Sequence, residues 1–160
     1  MRRRQLLAAL GTLVAVSATL KAMSTQANGV EKVQRSEEEW RALLTPAQFE
    51  ILRLEGTEAP GSSELLHEKR PGTYVCAGCE LPLFDSATKY DSQTGWPSFY
   101  DAIPGHLETK RDWKLIFPRT EYHCARCGGH QGHVFDDGPP PTGLRYCNNG
   151  LALRFVPRAA

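Results

Sequence analysis

The chain has no excess of charge of either sign: 19 Lys and Arg stand against 18 Asp and Glu over 160 residues, a formal net charge of +1. That balance excludes an electrostatic nucleic-acid binder or an acidic tail, and no nucleic-acid partner is expected. No internal repeat occurs apart from two short cysteine motifs, so one domain is expected rather than an array. An apolar run long enough for a comfortable membrane span is also missing. The longest, Leu6 to Leu20, reaches about 15 residues where a span takes about 20.

That run still carries information. Met1-Arg2-Arg3-Arg4 precedes it and Lys21 closes it, the layout of a signal-peptide core. Arg3-Arg4-Gln5-Leu6-Leu7 also resembles a twin-arginine export signal, with small residues for cleavage near Thr25-Gln26-Ala27. Residues 1–27 are therefore expected to be a signal peptide, 28–35 an extended linker and 36–160 the working domain. The expected location is a bacterial periplasm; an uncleaved, membrane-anchoring segment is the alternative. A hydrophobic content of 41% excludes disorder, and the domain is long enough to form a core without crosslinks. We expect a monomer.

The 14 Gly, 11 Pro and scattered short apolar runs favour a loop-rich β architecture over a helical bundle. Ser36-Glu37-Glu38-Glu39 reads as a capping box opening a short helix through Trp40 and Leu43. Thr45-Pro46-Ala47-Gln48 repeats the signature, with Phe49, Ile51 and Leu52 as the buried side and Gly56 as the stop. Residues 57–72 read as loop. Strands are expected at Tyr74-Val75, Leu81–Phe84, Trp113–Phe117, Glu121–Cys124, Gly132–Phe135 and Leu151–Phe155, with a Pro/Gly loop at 136–143.

Five cysteines divide into two Cys-x-x-Cys pairs, Cys76/Cys79 and Cys124/Cys127, and a lone Cys147. Four thiolates close a tetrahedral zinc site with no open position, so one structural Zn2+ is expected, held by two knuckles 44 residues apart. A redox Cys-x-x-Cys is the rival, but it needs a strand–helix context that neither pair has. An oxidising compartment by itself would suggest two disulfides and an odd thiol. A twin-arginine route carries folded proteins, which allows zinc to be loaded first.

Cys147 is then a free thiol and a candidate nucleophile. Arg145 lies two positions away, on the same face if the segment is extended, and a cation there favours thiolate. Asn148 and Asn149 add amide donors. His130-Gln131-Gly132-His133 sits among glycines that argue against helix, and its imidazoles are candidates to protonate and hold a reacting oxygen. Trp96, between Gly95 and Pro97, belongs in a turn where an indole face suits a methyl or thioether group.

Gly72-Thr73-Tyr74-Val75-Cys76, Gly95–Phe99, Gly132–Phe135, Pro141-Thr142-Gly143 and Arg145-Tyr146-Cys147 stand in one order, and together they resemble the B-type methionine-R-sulfoxide reductase family. The resemblance runs from about Trp40 to Phe155 and implies two antiparallel sheets, short N-terminal helices and zinc knuckles away from the active site. It implies that Cys147 attacks the sulfoxide sulfur and that Trp96 holds the methyl group. His130, His133 and Asn149 would orient or protonate the oxygen, with Asp137 and Arg145 organising the histidines and the thiolate. The product would be a Cys147 sulfenic acid.

Thr94 stands where many family members carry a resolving cysteine, so an external thiol, thioredoxin-like or glutathione/glutaredoxin, is the expected reductant. Gln131 and Asn148 replace apolar residues and are expected to make the site more polar. Oxidised proteins or free methionine sulfoxide are the expected substrates. A non-catalytic zinc-stabilised binding module and a thiol peroxidase are the alternatives.

Overall fold

The computed structural model describes residues 29–114 and 117–159, so the signal-peptide reading of residues 1–27 lies outside the described residues. Both capping boxes form. Ser36 caps α1 (Glu37–Leu43), and Glu39 returns a carboxylate to the Ser36 N–H at 2.7 Å. Thr45 caps α2 (Pro46–Leu54), with Pro46 in its first turn. The left-handed residue ending α2 is Glu55 (φ 56°) rather than Gly56, whose N–H then bonds the Glu50 carbonyl. None of the described helices is long and apolar enough to cross a membrane.

Among the described residues nine strands follow, all paired antiparallel: β1 (Gly72–Cys76), β2 (Pro82–Asp85), β3 (Lys89–Tyr90), β4 (Ser98–Phe99), β5 (Leu107–Asp112), β6 (Arg119–Cys124), β7 (His130–Phe135), β8 (Arg145–Asn148) and β9 (Leu153–Pro157). They make two sheets, β2-β1-β9 and β3-β4-β8-β7-β6-β5. The sheets meet on an aromatic core in which Phe84 stacks on Phe99 at 4.1 Å and Tyr74 meets Phe99 edge-on at 4.9 Å. Each fully buried ring stabilises the contact by roughly 1.5–3 kcal/mol, so these rings fix where the sheets touch. α2 lays Phe49, Ile51 and Leu52 against the same core.

Of the expected strand at Trp113–Phe117, the described residues Trp113, Lys114 and Phe117 are not in a strand. Trp113 and Phe117 are 71% and 79% exposed in the β5–β6 connection, and the strand lies upstream at Leu-Glu-Thr-Lys-Arg-Asp. β5 is an edge strand held by its ladder to β6, so it needs no apolar run. The expected strand at Leu151–Phe155 starts late, at Leu153, after a 3₁₀ turn over Gly150–Ala152. Residues 30–35 form no helix or strand and are docked: Val33 N–H donates to the Arg126 carbonyl, and Val30 packs on the core.

Candidate active site and metal cluster

β8 runs between β4 and β7, and this placement builds the site. Cys147 lies opposite Ser98 on one side and His133 on the other. Gly132 makes the approach possible: a Cβ there would stand 1.9 Å from the Cys147 carbonyl oxygen. The Trp96 turn is anchored from afar. Its indole N–H donates to the Glu58 carbonyl at 3.2 Å, and Gly95, at φ 91°, packs against Pro60 where no larger residue fits.

Cys147, His133, Trp96, Arg145 and Asn149 line one cavity of about 220 Å³, together with Thr94 and Phe135. His130 lies behind His133, their rings 5.6 Å apart and steeply inclined, and Asp137 lies outside the lining. Asn149 is committed to the backbone: its amide donates to the Gln131 carbonyl at 3.0 Å and accepts from the Glu58 N–H at 3.1 Å.

Asp137 does not organise the histidines. It forms a bidentate pair with Arg145 at 2.8 and 2.7 Å, and the guanidinium covers the Phe135 ring. Asp112 and Glu121, which sequence reasoning missed, hold the imidazoles instead. His133 Nε2 meets Asp112 at 2.7 Å, and His130 Nδ1 meets Glu121 at 2.7 Å. The Lys114 N–H, His133 and Arg119 hold the Asp112 carboxyl well below the usual carboxylate range. Burial raises Glu121, but hydrogen bonds from His123 and His130 outweigh it and bring the group down to about 2.

Ionised carboxylates only accept, so the protons sit on His133 Nε2 and His130 Nδ1. His133 Nδ1 is left as a bare acceptor, and burial pushes this imidazole's pKa below its ordinary value despite Asp112. His130 Nε2 is buried with no partner among the described residues.

Arg145 does not make Cys147 an acidic thiol. Burial raises the Cys147 pKa, and Arg145 and the Thr94 side chain oppose it without reversing it. Burial is the main cause, and the Asp137 carboxylate adds a smaller push in the same direction. The resting sulfur therefore keeps its proton. Thr94 belongs to a hydroxyl chain, bonding Ser92 Oγ at 2.8 Å, which in turn meets Ser98 Oγ at 2.7 Å.

The four remaining cysteines are free thiols whose sulfurs lie within 4.8 Å of one another. Their contacts of 3.7 Å (Cys76–Cys127) and 3.4 Å (Cys79–Cys124) are far beyond a disulfide bond. A tetrahedron with metal–sulfur bonds near 2.3 Å has edges of about 3.8 Å, so the cluster fits a four-thiolate metal site. The knuckles are local copies. Glu80 and Gly128, both at positive φ, return their N–H groups to the carbonyls of Cys76 and Cys124 at 2.8 and 2.9 Å.

Gln131 and Asn148 do not make the cavity polar. Both are 0% exposed, and Asn148, one residue past Cys147 on a strand, faces the opposite side of the sheet. Tyr122 Oη donates to the Asn148 side-chain amide oxygen, Oδ1, at 2.7 Å.

Residues 44–157 match the SelR domain. The peptide methionine sulfoxide reductase MsrB of Pseudomonas putida (strain W619) is 54% identical over 131 residues, 81% of this chain and 98% of its own. That of Bradyrhizobium diazoefficiens is 53% identical over 129 residues, 80% of this chain and 93% of its own. Peptide methionine sulfoxide reductase B1, chloroplastic, of Arabidopsis thaliana is 54% identical over 121 residues, 75% of this chain and 60% of its own.

Proposed function

Since the chain belongs to the SelR-domain family of MsrB peptide methionine sulfoxide reductases, we propose that it reduces methionine R-sulfoxide to methionine with Cys147 as nucleophile. The observation that carries the mechanism is the cross-strand pair of Cys147 and His133 on a cavity walled by Trp96.

The resting thiol is neutral, so attack must be coupled to loss of its proton. His133 Nδ1 is a free acceptor, and the imidazolium it would become is supported by Asp112 at 2.7 Å. His133 takes the proton from Cys147 as the thiol sulfur attacks the sulfoxide sulfur, then gives it to the sulfoxide oxygen. The substrate S–O bond breaks, the hydroxyl moves to the Cys147 sulfur, and the transient S–S bond breaks to release methionine. The Trp96 face receives the methyl group and Asn149 borders the oxygen. Nucleophile, methyl wall and proton donor fixed around one sulfur select one epimer.

The sum is Cys147–SH plus sulfoxide giving Cys147–SOH plus methionine, with oxygen transferred and no net proton consumed. An external thiol then forms a mixed disulfide with release of water, and a second thiol regenerates Cys147. Thioredoxin-like proteins or glutathione with glutaredoxin fit this role, because Thr94 offers no second sulfur.

Zinc is the ion we assign to Cys76, Cys79, Cys124 and Cys127. It would tie β1 to the β6–β7 turn and supply folding energy rather than chemistry. We further assign protein-bound methionine sulfoxide as the main substrate, action as a monomer, since one chain completes the cavity, and export to the periplasm directed by residues 1–27.

The test uses residues 28–160 with separate R and S epimers of a blocked methionine sulfoxide and dithiothreitol. Turnover of the R epimer alone, abolished by Cys147→Ser, is expected. No turnover of either epimer by folded, metal-loaded protein would move a binding module to the front, and faster turnover of peroxide than of sulfoxide would favour a thiol peroxidase.

A further inference from the structure

Two carboxamides lie beneath the active site where neither water nor substrate reaches them. Gln131 and Asn148 are each 0% exposed, as are Tyr122 and Cys76 beside them. Two buried amides carry four N–H donors, each costing about 1–3 kcal/mol if left without a partner. All four are placed. Gln131 Nε2 donates to Cys76 Sγ and to the Gly129 carbonyl, both at 3.5 Å. Asn148 Nδ2 donates to Gln131 Oε1 at 3.4 Å and to the Asn149 carbonyl at 2.8 Å. Tyr122 Oη satisfies the Asn148 oxygen. A metal-bound thiolate can only accept, so the amide orientation that puts Nε2 on sulfur is the one the chemistry requires.

We propose that Gln131 is a positioning residue which ties the metal thiolate Cys76 to Asn148, and so to the neighbouring nucleophile Cys147. The assignment rests on the metal and nucleophile readings above. One end of the chain is an outer hydrogen bond to a metal ligand, a class of contact whose loss weakens metal binding by about 10- to 100-fold. The other end holds the residue next to Cys147, on a strand also pinned by the Asn148 N–H to the Pro97 carbonyl at 2.9 Å. Cys147 lines the cavity while Asn148, its neighbour on β8, faces the other way, and the two amides connect that strand to the metal cluster.

The test replaces zinc by cobalt and compares wild type with Gln131→Met, which keeps the length and loses the donor. At full cobalt occupancy the sulfur-to-cobalt charge-transfer band should move to lower energy, because a thiolate without its N–H donor gives up charge more easily. In the fully zinc-loaded proteins, kcat for the R epimer should fall several-fold with KM unchanged. Tyr122→Phe should leave the cobalt band where it is. If Gln131→Met fails to fold, wild type loaded with a spin-half cadmium isotope answers instead: the Gln131 side-chain protons should show scalar coupling to the metal. An unmoved band, an unchanged kcat or no such coupling would overturn the proposal. Wild type that takes up no cobalt would overturn the metal reading and this proposal together. A Cys147→Ser enzyme that still turned over would instead remove the nucleophile reading.

Discussion

Asp112→Asn isolates the contact on which the proton relay depends. The substitution keeps the shape of the side chain and an oxygen for the Lys114 N–H, but it removes the charge that faces His133 Nε2 at 2.7 Å. A hydrogen bond to a charged group contributes about 1.5–3 kcal/mol. Because His133 is neutral at rest and cationic when it holds the Cys147 proton, most of that energy appears in the transition state. At about 1.4 kcal/mol per decade, kcat should fall by roughly 10- to 150-fold. The pH profile supplies an independent sign. Burial lowers the His133 pKa and Asp112 raises it, so removing the carboxylate lowers it further. His133 stops accepting protons once it is protonated, so the acidic limb of kcat/KM should move to lower pH in the variant while the plateau drops. The assay is R-epimer turnover with dithiothreitol across the acidic and neutral range, with circular dichroism to confirm the fold. An unchanged kcat and a superimposable acidic limb would refute the assignment of His133 as relay.

Gly132→Ala should lower stability by about 1–3 kcal/mol and reduce R-epimer turnover, since its Cβ would press on the Cys147 carbonyl; a urea midpoint equal to wild type would contradict this. Glu58→Gln sets an amide against the Gly150 and Leu151 N–H groups, which the carboxylate now accepts at 2.6 and 3.0 Å. A loss of about 1–3 kcal/mol in the same denaturation is expected. Thr94→Cys puts a second thiol on the cavity beside Cys147. With one equivalent of methionine R-sulfoxide and no reductant, wild type should hold a dimedone-reactive sulfenic acid, and the variant an internal disulfide with two thiols lost.

Local chemistry was legible in the sequence. Both capping boxes, both knuckles and the strand carrying His133 depend on residues a few positions apart, and each formed where expected, whereas β8, which carries Cys147, was not among the expected strands. What depends on partners far along the chain was not legible. Asp112 and Glu121 become histidine partners only when β5, β6 and β7 align, and Glu58 reaches the site across 91 residues to Asn149. β3 and β4, two residues each, are too short for any periodicity to register. Apolar content does not locate β5, because that edge strand is polar and is held by its backbone ladder to β6. The orientation of Asn148 was readable and missed: neighbours on a strand face opposite ways, so a residue next to a nucleophile in the cavity must point into the core.

The order β2-β1-β9 has a consequence for how this protein is made. β1 is flanked by β9, which arrives about 80 residues later, so Gly72 waits for Pro157 before its ladder closes. A chain emerging from the ribosome can join the two knuckles once residue 127 is out, well before the small sheet is complete. The metal cluster can therefore close before β9 arrives, and β9 is the last strand to join. During synthesis the exposed edge of β1 is the unprotected surface, and the time to translate residues 128–157 is the interval over which it stays open to other strands.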